Sequence, residues 1–327
     1  MIESVKIQNF RCFSELEVHG LKPVNIIVGE NASGKTAFLE ALYLAMAGTP
    51  SNNFQLRDWR QMAIADTKKS EQMEQSWNDL FHHFDSTRPI NIAIQGSHSL
   101  QIYRDPTGIK FRWKPESQFV EKFLLPEDLD DHELLGTLIH DNQPIEYLGP
   151  HTENYPTSLA SRFSDLSKEG ESAPILEALR SEFSFLRELS IELDAGSASV
   201  FASIEGSKRK LPAALISDGF NKLLGILLSI ASASKGTLLI DQIEDGFYFK
   251  KMASIWKVVH KFAKANGTQI FATTHSQECL DALLPVLEAN EEDFALVRAS
   301  RLNNVPTLRV IDGKGFSSAL SQEFELR

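Results

Sequence analysis

Gly29-Glu30-Asn31-Ala32-Ser33-Gly34-Lys35-Thr36 obeys the spacing G-x-x-x-x-G-K-[ST]. Glycines at this interval let successive backbone N–H groups turn inward around an anion, and a helix starting at Lys35 adds the partial positive charge of its N-terminus. Such a loop cradles the phosphates of ATP. Lys35 would reach the β- and γ-phosphates, and the Thr36 hydroxyl would hold Mg²⁺. The metal also calls for a carboxylate, and Asp241 offers one at the end of the apolar run 237–240.

Four further groups carry chemistry or could be mistaken for it. His275 follows the run 269–272, at the edge where open α/β sheets bind ligands, and is placed to sense a γ-phosphate; the alternative is a histidine capping the next helix. Ser217 and Gly219 precede an apolar helix about twenty residues before Asp241. Their Ser-Asp-Gly reads equally well as an anion site at a helix N-terminus or as an ordinary N-cap. His82 and His83 with Asp85 invite a metal reading, yet adjacent histidines point different ways, so they are assigned to the surface. The basic turn 207–210 reads as a solvated hairpin tip.

The elements that must position these residues follow from hydrophobic period. Residues 2–8 and 14–18 alternate apolar with polar, and 24–28 is a β-branched run into Gly29. From Thr36 the row Phe38, Leu39, Ala41, Leu42, Ala45, Met46 has helical spacing and stops before Gly48 and Pro50. Residues 51–144 form a β-rich insertion: a polar loop, a helix near 74–83, then strands at 90–94, 100–103 and 109–113. The acidic stretch 127–131 is read as a solvated loop, and no heptad repeat supports a long coiled-coil arm. Beyond Pro150 the pattern predicts helices at 157–166 and 172–187, and strands at 189–193 and 199–205. A helix at 218–233 and the strand 237–240 follow. Helix 247–265, strand 269–272, helix 276–288, strands 294–298 and 307–310 and a short terminal helix complete the chain. Strands alternating with helices imply an α/β fold with a largely parallel sheet covered on both faces. The core falls into an N-terminal part, 1–50, and a C-terminal part, 145–327, flanking the insertion.

The chain of 327 residues suits one large domain carrying an insertion. A formal charge of −11 argues against a surface built to coat nucleic acid, although a local basic patch would still allow DNA contact. Cys12 and Cys279 make neither a disulfide framework nor a CxxC metal pattern. No signal peptide or long apolar run is present, so a cytoplasmic protein without membrane association is expected.

With these motifs in this order, the chain resembles the ABC-type ATPases of the RecF, SMC and OLD group, most of all the stand-alone AAA-type ATPases of bacterial defence islands. The opening Val5-Lys6-Ile7-Gln8-Asn9-Phe10-Arg11-Cys12-Phe13 is similar to that group's first strand. Residues 217–219 match its signature loop, 239–246 its Walker B and D-loop, and 274–276 its switch. The resemblance implies a P-loop head in which each ATP rests on Lys35 of one subunit and on Ser217 and Gly219 of another, in a head-to-tail dimer or higher homo-oligomer. It also implies antiphage defence. OLD nucleases add a Toprim domain, whereas fifteen residues follow Asp312 here, so a nuclease or toxin is expected as a separate chain. A RecF-like repair ATPase on duplex DNA is the alternative.

One residue departs from the group. Where ABC-type enzymes place a glutamate after the Walker B aspartate, this chain has Gln242. An amide can hold the attacking water but cannot take its proton, so ATP should be bound far better than cleaved. Gln242 is either a substitution that freezes the ATP state, which the intact surroundings favour, or the mark of a natural pseudo-ATPase that switches on binding alone.

Overall fold

The computed structural model describes residues 1–48, 51–62, 77–96, 98–106, 108–114, 120–123, 144–149, 156–194 and 196–322. The acidic stretch 127–131 and the first three residues, 74–76, of the helix expected near 74–83 lie outside them; of the rest of that helix, 77–78 are helical, a turn follows, and His82–Phe84 form a 3₁₀ turn.

Two six-stranded sheets enclose one helix. The first is antiparallel, in the order β2-β1-β4-β5-β6-β7. It comprises β1 (Ser4–Phe10), β2 (Phe13–His19), β4 (Ile90–Ile94), β5 (Ser99–Asp105), β6 (Gly108–Lys114) and β7 (Val120–Phe123). The strands of the 51–144 segment therefore add directly onto β1 through its pairing with β4, completing a sheet that the N-terminus begins. The second sheet has the order β15-β14-β3-β13-β12-β8. Its strands are β3 (Val24–Val28), β8 (Ile145–Leu148), β12 (Thr237–Ile240), β13 (Gln269–Thr273), β14 (Phe294–Leu302) and β15 (Val305–Asp312). All its pairs are parallel except β14 with β15.

Helix α1 (Lys35–Ala47) lies between the sheets, buried almost all round from Ala37 to Met46, as its nearly continuous apolar sequence requires. The parallel strands are apolar on both faces for the same reason. Ile27, Leu239, Phe271 and Val297 face the core shared with α1 and the antiparallel sheet. Their neighbours Ile26, Leu238, Ile240, Ile270 and Leu296 face a second core. That second core is closed by α5 (Asp218–Ser232), α6 (Met252–Asn266), α7 (Gln277–Glu288) and α8 (Gly313–Ser321), which contribute Phe220, Trp256, Leu283 and Phe316. A small sheet of β9 (Leu186–Asp194), β10 (Ser197–Ile204) and β11 (Leu211–Pro212) packs there too, with α3 (Pro156–Lys168) and α4 (Ser172–Glu182).

Several boundaries differ from the sequence expectation. The helix expected over 172–187 ends at Glu182, because Leu186 onward pairs with β10 and cross-strand pairing outweighs helical spacing. The helix expected over 247–265 starts at Met252, after an extended Tyr248 and a 3₁₀ turn at Phe249–Lys251. The polar segment read as a loop contains α2 (Ser51–Trp59), anchored by the buried Leu56. A short helix needs only one such anchor when a neighbouring core supplies the packing.

Gln269 ties the sheets together. Its Oε1 accepts from Ile2 N–H at 2.7 Å, and its Nε2 donates to the carbonyls of Ile2 and Lys22 at 2.8 and 2.9 Å, all in a side chain that is almost fully buried. Gln269→Ala would strand these backbone groups, and is expected to lower unfolding stability by about 2–3 kcal/mol in urea titration.

Candidate functional site

The loop 29–36 leaves β3 and enters α1 under tight geometric control. Gly29 has φ +142°, and a Cβ there would lie 2.0 Å from the Ala299 carbonyl oxygen on β14, so only glycine passes. Gly34 caps α1 with φ +103°, where a Cβ would strike the Phe13 ring at 2.8 Å. Arg301, from β14, donates through Nε and Nη2 to the Ala32 carbonyl at 3.0 and 2.9 Å and pins the loop crest. Lys35 folds back to donate to the carbonyls of Gly29 and Glu30 at 2.7 and 2.8 Å. Burial lowers its pKa, against the raising influence of Asp241 and Glu244. The Ser33 hydroxyl is buried within the loop with no hydrogen-bond partner among the described residues.

Parallel pairing sets the other half of the site. β12 carries Asp241 past the end of the sheet, beside the end of β13. Thr36 Oγ1 donates to Asp241 Oδ2 at 2.8 Å, and Thr273 Oγ1 donates to Asp241 Oδ1 at 2.5 Å. The same Thr273 oxygen accepts from Gln242 N–H at 2.8 Å. Gln242 adopts a left-handed φ of 59°, an uncommon state for a residue with a side chain. Glu244 Oε1 accepts from His275 N–H at 2.8 Å, so the turn after β12 is tied to the turn after β13. Desolvation, and then the charge of Lys35, hold the His275 imidazole below its ordinary pKa, although three carboxylates oppose this. His275 is therefore neutral at neutral pH. Its penalty on folding is absent above the unfolded value of about 6.5 and grows as pH falls below it.

Lys35, Thr36, Gln242 and His275 line one cleft of about 800 Å³, with Asp241 bonded to Thr36 beneath it. Ser217 and Gly219 do not line it. They stand at the start of α5, where Ser217 Oγ caps the helix by accepting from Phe220 N–H at 3.1 Å and Gly219 packs close to Gly246. The His82-His83 pair, assigned to the surface from sequence, is half-buried at His82 and exposed at His83, and it lines the cleft, where His82 Nδ1 lies 2.8 Å from the Arg11 carbonyl oxygen at the β1–β2 turn. Among the described residues no group of three or more His, Cys, Asp or Glu is arranged to hold a metal. The basic turn 207–210 is exposed, with Lys210 paired to Glu192 at 2.8 Å.

Besides Arg301, four cleft or support residues had no role assigned from sequence. Arg11 lines the cleft, is ion-paired with the buried Glu40 at 3.2 Å, and keeps a buried Nη2 without a hydrogen-bond partner among the described residues. Arg60 also binds Glu40 and lines the cleft. Tyr147 stacks on Trp59 at 4.5 Å, and burial followed by the Asp241 charge pushes its phenol well above the usual range. Thr273 was visible only as part of the run leading to His275. Arg11 fell within the first-strand match, but nothing local marked its side chain.

Comparison with known proteins fixes the family. The family described as "AAA ATPase domain" matches residues 1–169, and that described as "AAA domain, putative AbiEii toxin, Type IV TA system" matches residues 96–281. The chain belongs to the AAA-type ATPases. As an ATPase of this kind it shares 25% identity over 347 residues with an "ATP/GTP phosphatase" of Helicobacter pylori, covering 90% of each chain. A shorter stretch of 55 residues is 47% identical to the DNA replication and repair protein RecF of Nitrosococcus oceani, covering 17% of this chain and 15% of that one. In structure the ATPase resembles an Smc head bound to the C-winged helix domain of ScpA, with a TM-score of 0.56 and 14% identity over 95% of this chain and 98% of that one. A second Smc head, with an extended coiled coil and bound to a ScpA domain derived from Pyrococcus furiosus, gives a TM-score of 0.56 at 12% identity over 98% and 99%. The fold is thus that of an SMC-type ATPase head, and no long coiled coil occurs among the described residues. Among those residues no helix is long and apolar enough to cross a membrane.

Thr273→Val keeps the shape of this fully buried side chain but leaves Asp241 Oδ1 and Gln242 N–H short of a partner. The ATPase should lose about 1–3 kcal/mol of stability, read as a lower urea midpoint at unchanged denaturant slope.

Proposed function

We propose that this chain is an ATP-binding head that closes head to tail with a second copy around two nucleotides, and that the closed dimer or a higher homo-oligomer acts in antiphage defence as sensor or scaffold for a separately encoded nuclease or toxin. The observation that carries the nucleotide reading is the 2.8 Å contact between Thr36 Oγ1 and Asp241 Oδ2 beneath the loop 29–36. Adjacent oxygens of an octahedral Mg²⁺ shell, each about 2.1 Å from the ion, lie roughly 3 Å apart, so this pair suits the metal. Mg²⁺ held by Thr36 and Asp241 would neutralise charge on the phosphate oxygens.

The chain's own groups divide the remaining work. Lys35 exchanges the carbonyls of Gly29 and Glu30 for the β- and γ-phosphates, and the buried Ser33 hydroxyl together with the backbone N–H groups of residues 29–36 completes the cradle. His275, kept neutral, senses the γ-phosphate. Ser217 and Gly219 lie outside the cleft of their own subunit, which suits the role of capping ATP on the other subunit. Gln242 holds the attacking water without accepting its proton, so ATP persists and the dimer stays closed. The defence reading is supported by the toxin named in the description of one matching family and by the resemblance to OLD-type ATPases.

A second reading, a RecF-like repair ATPase, is favoured by the short RecF matches. Tight, salt-sensitive binding of duplex DNA in the presence of ATP would select it. Co-purification of a neighbouring gene product without DNA would select defence.

Light scattering should report a monomer without nucleotide and a dimer or larger assembly with ATP and Mg²⁺, and Lys35→Ala and Ser217→Arg should both abolish the shift. A mass unchanged by ATP would overturn the sandwich. Gln242→Glu should raise ATP turnover by about 10²–10⁴-fold. Failure to rise would instead mark a pseudo-ATPase that switches on binding alone.

A further inference from the structure

The cleft beside the loop 29–36 is lined by Lys35, Arg11, Arg60 and Arg301, as suits phosphate, yet it also carries an exposed aromatic step that phosphate does not need. His82, His83 and Phe84 form a single 3₁₀ turn just before β4. Three bonds hold this segment to the β1–β2 turn. Arg11 N–H donates to the Leu80 carbonyl at 2.7 Å, Phe10 and Phe81 form an antiparallel bridge, and His82 Nδ1 meets the Arg11 carbonyl oxygen at 2.8 Å. Phe81 is buried, whereas Phe84 is 73% exposed and lines the cleft. His83 and Phe84 have φ of 51° and 60°, two consecutive left-handed residues with bulky side chains. That conformation is costly, and the surrounding bonds maintain it. The rings of His82 and His83 lie 4.0 Å apart.

A nucleotide has one part that calls for such a surface, its planar base. Resting on the nucleotide reading given above, we propose that the His83–Phe84 step is the shelf on which the purine base stacks while the loop 29–36 holds the phosphates. Stacking uses the π-face common to all bases and tolerates a change of base, so the shelf accepts adenine and guanine alike. Phe84 supplies the exposed ring, and His82 fixes the turn through Arg11. The step thereby favours nucleotides over bare polyphosphate without selecting between the two purines.

Calorimetric titration with ATP, GTP and inorganic tripolyphosphate, each with Mg²⁺, separates the parts. Phe84→Ala should weaken ATP and GTP by about 10- to 100-fold and leave tripolyphosphate within about twofold. Phe84→Trp should restore ATP affinity, and the wild-type protein should bind ATP and GTP within about fivefold of each other. The shelf is overturned if Phe84→Ala leaves ATP binding intact, or if it weakens ATP and tripolyphosphate equally with a lowered unfolding midpoint and Phe84→Trp fails to rescue. A wild-type protein that binds neither ATP nor tripolyphosphate would overturn the nucleotide reading itself.

Discussion

The carboxylate of Asp241 is held from two sides, by Thr36 from the helix that follows the glycine loop and by Thr273 from the neighbouring parallel strand. This small chain of hydroxyl and carboxylate groups fixes the relative position of three segments, the first 205 residues before the second and the second 32 before the third, and the rest of the site is arranged around it. Gln242 hangs from the same Thr273 oxygen. One turn further, Glu244 holds the backbone of His275. A displacement of β12 against β13 by a single residue would separate all of these pairs, so the register of two buried strands is in effect the alignment of the site.

That register is secured by burial on both faces. Leu238 and Ile240 face one core and Leu239 the other, and β13 and β14 repeat the alternation with Ile270, Phe271, Leu296 and Val297. The glycine loop is similarly over-determined. The Ala299 carbonyl leaves no room for a side chain at Gly29, the Phe13 ring leaves none at Gly34, and Arg301 grips the loop crest. A loop so constrained on its outer side keeps its backbone turned toward the cleft, the preorganisation that anion binding by N–H groups requires.

The two sheets contribute differently. The parallel sheet delivers the ends of β3, β12 and β13, the C-terminal edge where open α/β sheets gather ligands. The antiparallel sheet supplies the flank, through Arg11 at the β1–β2 turn and the strained aromatic turn before β4. Between them the nearly all-buried α1 carries Glu40, which the guanidinium groups of Arg11 and Arg60 neutralise. Tyr147, stacked on Trp59 at the outer strand β8, closes the apolar wall beside Asp241.

The amino-acid sequence by itself determined the glycine loop, its preceding strand and following helix, the carboxylate after 237–240 and the histidine after 269–272. Each is written in a run of consecutive residues whose types have direct local consequences. Left-handed glycines, a β-branched strand and an apolar helix can all be read without knowing their neighbours. Tertiary structure alone decided that the strands of 51–144 continue the sheet begun by β1, that Leu186 leaves a helical pattern for a hairpin, and that Thr273, Arg11 and Arg301 support the site. It also set the exposed His83 and Phe84 beside the loop 29–36, at the rim of the cleft. These residues acquire their surroundings through strand pairing across long sequence separations. No local period or motif encodes such contacts, because they depend on which sheet edge meets which, a choice set by the burial of both cores together.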